Sequence, residues 1–275
     1  MTLPARAKRS IVQTGRFFTD FANAMALWKL WSFLALNDLR ARFARTMLSY
    51  GWVLATFAIW AAGVGFVYAR LFDLDVKEFA PFLTIGFAVW GFIVASFTDS
   101  SNAFVGAAGY IKQFNLPKQV YVFRSVFSQS VSFALTLIVC VVVVTACGKF
   151  TVAGLLIGLV GVIVVLAAGL AHAFLSAYLT PYVRDFPHAI GSLLSVLFFL
   201  TPIIFPAELL ARRGLDMIYR YNPFYYLLEM VRAPLLTGRW PEPSIVLGAL
   251  AYLVVIWAIV FAVCKPLDRK LAYAL

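Results

Sequence analysis

No phosphate-cradling G-x-x-x-x-G-K-[ST] loop occurs in this sequence, so the chain is not expected to hydrolyse ATP itself. G-x-S-x-G and H-E-x-x-H are also missing, which removes the hydrolase elbow and the zinc-protease helix. Histidine is scarce: His172 and His188 are the only two, far apart, and neither sits in metal-ligand spacing. Three cysteines, Cys140, Cys147 and Cys264, supply no disulfide framework and read as small buried apolar residues. Acidic residues number 12 against 23 Lys and Arg, and none lies at the centre of an apolar run. A proton- or sodium-coupled carrier needs such intramembrane carboxylates and a pair of interrupted helices, and the sequence shows neither. No cleavable leader is visible before the first run, which is therefore expected to insert uncleaved.

Long apolar stretches dominate what remains. The hydrophobic fraction is 63% and the mean hydropathy is +0.90. Crossing ~30 Å of hydrocarbon takes about 20 mostly apolar residues. Six runs approach or exceed that length, near 48–70, 80–98, 125–147, 152–179, 189–205 and 244–264. They are too long and too uniform for barrel strands, which alternate over about ten residues. The loops between them cannot build a soluble core, so residues 1–275 read as a single transmembrane domain. The net charge of +11 comes from Lys and Arg flanking these runs, which points to anionic lipid headgroups and not to nucleic acid.

Residues 17–46 precede the first run. Phe17, Phe21, Met25, Trp28 and Trp31 recur at helical spacing, and Asp38, Arg40, Arg42 and Arg45 close the segment, so an amphipathic interface helix is expected. The second run starts near Pro81, expected in a first helical turn. Runs three and four are joined only by Gly148, Lys149, Phe150 and Thr151, a tight hairpin. Gly154 and Gly158 have the small-xxx-small spacing that permits close helix contact. His172 reads as a neutral imidazole bonded to a neighbouring helix, with a functional role the other possibility. The fifth run is short and ends at Pro202 and Pro206. Residues 206–243 then mix arginines with Phe, Tyr and Leu, and the stretch from Phe224 to Leu236 is too short to span. A re-entrant outer helix pair is the natural reading. Within it Asn222 is a cap, Pro223 suits the first turn, and Glu229 can pair with Arg232 three residues on.

Lys and Arg set the orientation. The side holding both termini carries eight before the first run, three in 99–124, Arg184 and three after the last run, against eight on the other side. The positive-inside rule then makes both termini cytoplasmic.

Four passages, taken in order, resemble one known family. They are Asp38–Phe43 followed by Leu48-Ser-Tyr-Gly-Trp52; Phe114-Asn-Leu-Pro-Lys118; Arg184-Asp-Phe-Pro-His188 followed by Phe198–Ile203; and Asn222-Pro-Phe224 followed by Glu229, Arg232 and Leu236. This order is similar to that of the membrane permease subunits of ABC transporters that export polysaccharide, such as O-antigen, capsule and teichoic acid exporters. The likeness covers about residues 27–270; Tyr50 stands where the family leads one to expect Pro. It implies an all-α integral membrane protein of six transmembrane helices, with an N-terminal interface helix and the re-entrant pair before the last span. It also implies a bacterial inner-membrane location, a homodimer with the pore between the copies, and two separate ATP-binding subunits that hold the ATP and Mg. The cargo implied is a polyprenyl-diphosphate-linked glycan. By this resemblance Lys112, Phe114, Leu116, Pro117, Lys118, Arg184 and Asp185 contact the ATPase. Arg40, Arg42 and Arg45 are expected to receive the lipid diphosphate, since arginine forks suit phosphate. Asn222, Phe224, Tyr225, Tyr226, Glu229 and Arg232 are expected to form an outer gate, and the abundant aromatics could stack on sugar rings. Other readings are an exporter of a drug, antibiotic or lipid, a membrane assembly protein, and a membrane enzyme. The last should show paired loop carboxylates, whereas Asp73, Asp75 and Glu78 look like a solvated loop.

Overall fold

Apolar runs this long leave the backbone no hydrogen-bonding partner but itself, and helices are the result. The computed structural model describes residues 17–43, 51–71, 73, 75–114 and 116–275, and among them no strand occurs. The helices in order are α1 (Phe17–Ala26), α2 (Trp28–Phe43), α3 (Gly51–Leu71), α4 (Val76–Thr98), α5 (Ala108–Gln113), α6 (Gln119–Ala146), α7 (Val152–Leu179), α8 (Phe186–Leu200), α9 (Ala207–Ala211), α10 (Met217–Arg220), α11 (Pro223–Thr237), α12 (Pro243–Asp268) and α13 (Leu271–Ala274). Five of them, α3, α4, α6, α7 and α12, are long and apolar enough to cross a membrane. The fifth predicted span, α8, has only 15 residues. At 1.5 Å per residue it covers about 22 Å, short of a ~30 Å core. It stops where Thr201 turns extended ahead of Pro202, as the residue before a proline prefers.

Several boundaries shift from the sequence reading for local reasons. Asp75 caps α4 by accepting the Lys77 N–H at 2.9 Å, so the helix starts at Val76 and Pro81 falls in its sixth position, inside the helix and not in its first turn. Thr151 caps α7 through the Gly154 N–H, and Gly148 turns the α6–α7 hairpin with φ +74°. The Lys149–Glu78 ion pair ties that hairpin to the start of α4. The interface segment is two helices, broken at Leu27. Because the register resets there, Phe17, Phe21 and Trp31 pack inward while Met25 and Trp28 are exposed.

At the centre stands α4, with 72% of its apolar window buried against 17–33% for the other four spans. It is packed by α3, α6, α7, α8 and α11. His172 joins three helices: its ring nitrogens meet Ser96 Oγ of α4 at 3.1 Å and Tyr252 Oη of α12 at 2.6 Å, and its face stacks on Phe97. The glycines of α7 do what their spacing suggested. A Cβ at Gly154 would stand 2.5 Å from the Pro234 carbonyl of α11, and one at Gly161 would overlap the Met230 carbonyl.

Candidate functional site

Three regions carry the residues singled out from sequence. The first is the connector between α4 and α6. After a single 3-10 turn (Ser100–Asn102), α5 is a six-residue helix with no buried residue. Tyr110 and Phe114 stack on its outside at 6.3 Å and are 57% and 53% exposed, with Leu116 also exposed beside them. Lys112 is exposed and Pro117 is half-buried. Asn115 lies outside the described residues. Lys118 turns inward. Its Nζ is 3.1 Å from Asp268 Oδ1 and donates to the Asp268 carbonyl at 2.8 Å. The same carboxylate accepts from Tyr178 Oη at 2.8 Å, and Tyr178 in turn accepts from Gln119 Nε2. Tyr182 donates to the Leu267 carbonyl at 2.7 Å. Burial, with the Asp268 carboxylate nearby, pushes the Tyr182 hydroxyl above its usual range. The connector, the end of α7 and the end of α12 are thus one polar knot. Arg184 and Asp185 lie exposed on the adjoining loop.

The second region is α2. Ala35 and Leu39 are buried, and the helix packs along α6. Asp38 accepts both arms of the Arg124 fork, each at 2.5 Å, a bidentate clamp that fixes α2 on α6. Arg40, two residues on, is exposed. Arg42 belongs to α2 with its side chain outside the described part, and Arg45 lies outside the described residues.

The third region is α11, a helix wedged against α7, α12 and α4. It begins as the sequence implied. Asn222 Oδ1 accepts the Phe224 N–H at 3.0 Å, and Pro223 occupies the first turn. Asn222 also donates through Nδ2 to Thr201 Oγ1 at 2.7 Å and to the Leu200 carbonyl at 3.3 Å, so it clasps the end of α8. Phe224 is buried against Trp90, His172 and Tyr252, near the middle of α4 and well inside α7. The far end stops at Gly238, φ +70°, beside the Thr151 cap of α7. One end of α11 therefore lies deep in the bundle and the other at its hairpin rim. Glu229 and Arg232 do pair. The guanidinium is 1% exposed, donates to the Pro202 carbonyl at 2.8 Å and lies over the Phe82 ring at 3.8 Å. Tyr225 and Tyr226 are half-buried; Tyr226 donates to the Arg220 carbonyl and its ring presses on Gly248.

Asp268, Tyr178 and Arg124 were missed from sequence. Asp268 has partners 90 and 150 residues away, Tyr178 has one 90 away and Arg124 one 86 away, beyond any local spacing rule. The only signal was the presence of polar residues at the ends of apolar runs.

Comparison with known proteins fits this layout. Residues 30–236 match the family described as ABC-2 type transporter. The O-antigen export system permease protein RfbA of Klebsiella pneumoniae is 24% identical over 206 residues, 74% of this chain and 78% of that one. The protein of the same name from Myxococcus xanthus is 24% identical over 232 residues, 82% of this chain and 87% of its own. The matched stretch takes in α2, the exposed connector, the short α8 and the half-depth helix α11. This chain belongs to the ABC-2 type transporter family.

Proposed function

We propose that the chain is the membrane subunit of an ATP-driven exporter that carries a polyprenyl-diphosphate-linked polysaccharide of the O-antigen kind across the bacterial inner membrane. Two copies enclose the pore, and two separate ATP-binding subunits hold ATP and Mg and supply the energy. The observation that carries this reading is the match to O-antigen export permeases along about three quarters or more of this chain. Those relatives' names favour polysaccharide over drug, antibiotic or lipid cargo, and an exporter over an assembly protein.

The geometry supplies a route for the work. Exposed Tyr110, Phe114 and Leu116 form an apolar knuckle with Lys112, a surface suited to a groove on the cytoplasmic ATPase, and Arg184 and Asp185 are exposed on the loop after α7. A push there reaches α12 and α7 through Lys118 and Asp268. Arg40, Arg42 and Arg45, the arginines that precede the first span in sequence, are the proposed receivers of the lipid diphosphate, with both termini cytoplasmic. On the other side α11 forms the outer gate, with Tyr225 and Tyr226 toward its deep end, and Asn222, Phe224, Glu229 and Arg232 anchor it. Co-purification with the ATP-binding partner and an assay of ATP hydrolysis test the whole reading. Lipid-linked glycan should raise the rate several-fold in the complex, and the chain alone should show none. Robust hydrolysis by the chain alone, or indifference of the complex to glycan, overturns it.

A further inference from the structure

A chamber of about 450 Å³ lies within a single copy of the chain, between α2, α3, α4 and α6. Its size falls within the range of about 300–1,000 Å³ typical of small-molecule sites. One face of α6 makes its polar wall: Ser125, Ser128, Gln129, Ser132 and Thr136 follow at helical spacing inside a span that is otherwise apolar. Ser132 and Thr136 donate to the Ser128 and Phe133 carbonyls of their own helix and Ser125 meets Ser100, which leaves hydroxyl oxygens able to accept, and a buried polar atom with no partner at all is costly. Gln129 makes the point sharply. It is 6% exposed, its Nε2 donates to Ser100 and Ser125, and its carbonyl oxygen has no partner among the described residues. The opposite walls are rings, Phe57, Phe87 and Phe92, and Phe133 of α6 stacks on Phe92. Charge is nearly silent. Asp38 occupies the Arg124 fork, and the exposed Asp99 at the rim disfavours an anion.

We propose that this chamber binds a neutral glycosyl group. Sugar hydroxyls donate and accept at once, matching a wall of hydroxyls and amides that offers both. The apolar C–H faces of a sugar ring match the phenyl walls. Among the described residues a phosphate finds no free cation there, which favours a neutral ligand over the diphosphate of a carrier lipid. The choice of a glycosyl group over other neutral polar ligands rests on the exporter reading above. A sugar that belongs to a membrane-anchored glycolipid and a free saccharide share this chemistry.

The test uses the full chain with its ATP-binding partner in phosphatidylglycerol-containing nanodiscs. An alkyl β-glucoside with a diazirine on its first chain carbon is the probe, and an alkyl phosphocholine with the same diazirine is the control. After photolysis, mass spectrometry should place the glucoside on peptides covering 87–103 and 124–136, with about a tenfold preference over phosphocholine. Gln129→Leu should lower that labelling about tenfold, as expected when a bound sugar hydroxyl loses its buried acceptor. Should Gln129→Leu fail to fold, Ser128→Ala with Ser132→Ala removes two hydroxyls at nearly constant volume and should lower labelling several-fold. Competition by soluble cellobiose assigns a free saccharide. Competition by octyl glucoside alone assigns an anchored headgroup. Equal labelling by phosphocholine, or glucoside labelling unmoved by these variants, overturns the chamber. If that happens while glycan still stimulates ATP hydrolysis, the exporter reading stands. If the glycan stimulation is absent, the exporter reading falls, whatever the labelling shows.

Discussion

Arg232 gathers the end of α8, the body of α11 and the ring of Phe82 into one guanidinium. Arg232→Met keeps most of its volume and apolar contact but strands the Glu229 carboxylate and the Pro202 carbonyl. Removing one partner of a buried pair costs about 3–5 kcal/mol. We expect a clearly lower unfolding temperature in detergent, read by tryptophan fluorescence. Glu229→Gln keeps an acceptor and should cost less than half as much, about 1–2 kcal/mol. This pair was legible because three residues along a helix is a local spacing. The clamp of Asp38 on Arg124 was not, although both residues stood in view. Nothing short of the tertiary fold says that positions 86 apart will meet. For the same reason the pairing of Lys118, expected as an ATPase contact, with Asp268 was not legible.

At the scale of elements, hydropathy located the long helices because burial in lipid demands a run of fixed length. It missed the break at Leu27, where two short helices share one amphipathic signal and only packing on α6 and α7 separates their faces. The α7–α11 contact gives a sharp comparison. Gly161→Ala places a methyl group into backbone of α11, and overpacking of that kind costs about 1–3 kcal/mol. Gly158→Ala meets only the Leu235 side chain, Cγ and Cδ2 at 3.1 Å, which has to give by a few tenths of an ångström and not by a shift of backbone. Thermal unfolding should therefore separate the two, with Gly158→Ala close to the parent. The connector invites a different measurement. Leu116→Asp puts charge on the exposed knuckle without touching the core, so the protein should fold and insert normally. Export in cells should fall about tenfold or more while ATP hydrolysis by the complex persists. Normal export by this variant would remove the connector from the coupling path.

For the whole molecule, two measurements bear on the proposed exporter. If Arg40, Arg42 and Arg45 only anchor the chain at the headgroups, the triple Lys variant exports as well as the parent. If any one of them forks a diphosphate, Lys there keeps the charge, loses the bidentate geometry and lowers export about tenfold. Equal export withdraws the diphosphate role. Single cysteines across 222–236, in a background lacking Cys140, Cys147 and Cys264, examine the gate. Positions 225, 226 and 229 should react with an outside reagent, and the buried 227, 228, 230 and 231 should not. Some reactive positions should change when ATP is trapped on the partner. Uniform labelling, indifferent to nucleotide, would replace the gate by a mobile loop.

The clasp made by Asn222 has an electrical side. The last carbonyls of α8 carry roughly half a negative charge, and the first amides of α11 roughly half a positive one. Asn222 brings these opposite helix poles together, since one side chain caps α11 and reaches the Leu200 carbonyl. Each pole is the other's counter-ion, so a helix interrupted deep in the bundle leaves little uncompensated field there. The two half-length helices are then cheap to keep in hydrocarbon only while they stay together, and any motion that parts them must recruit water or cargo to the exposed poles.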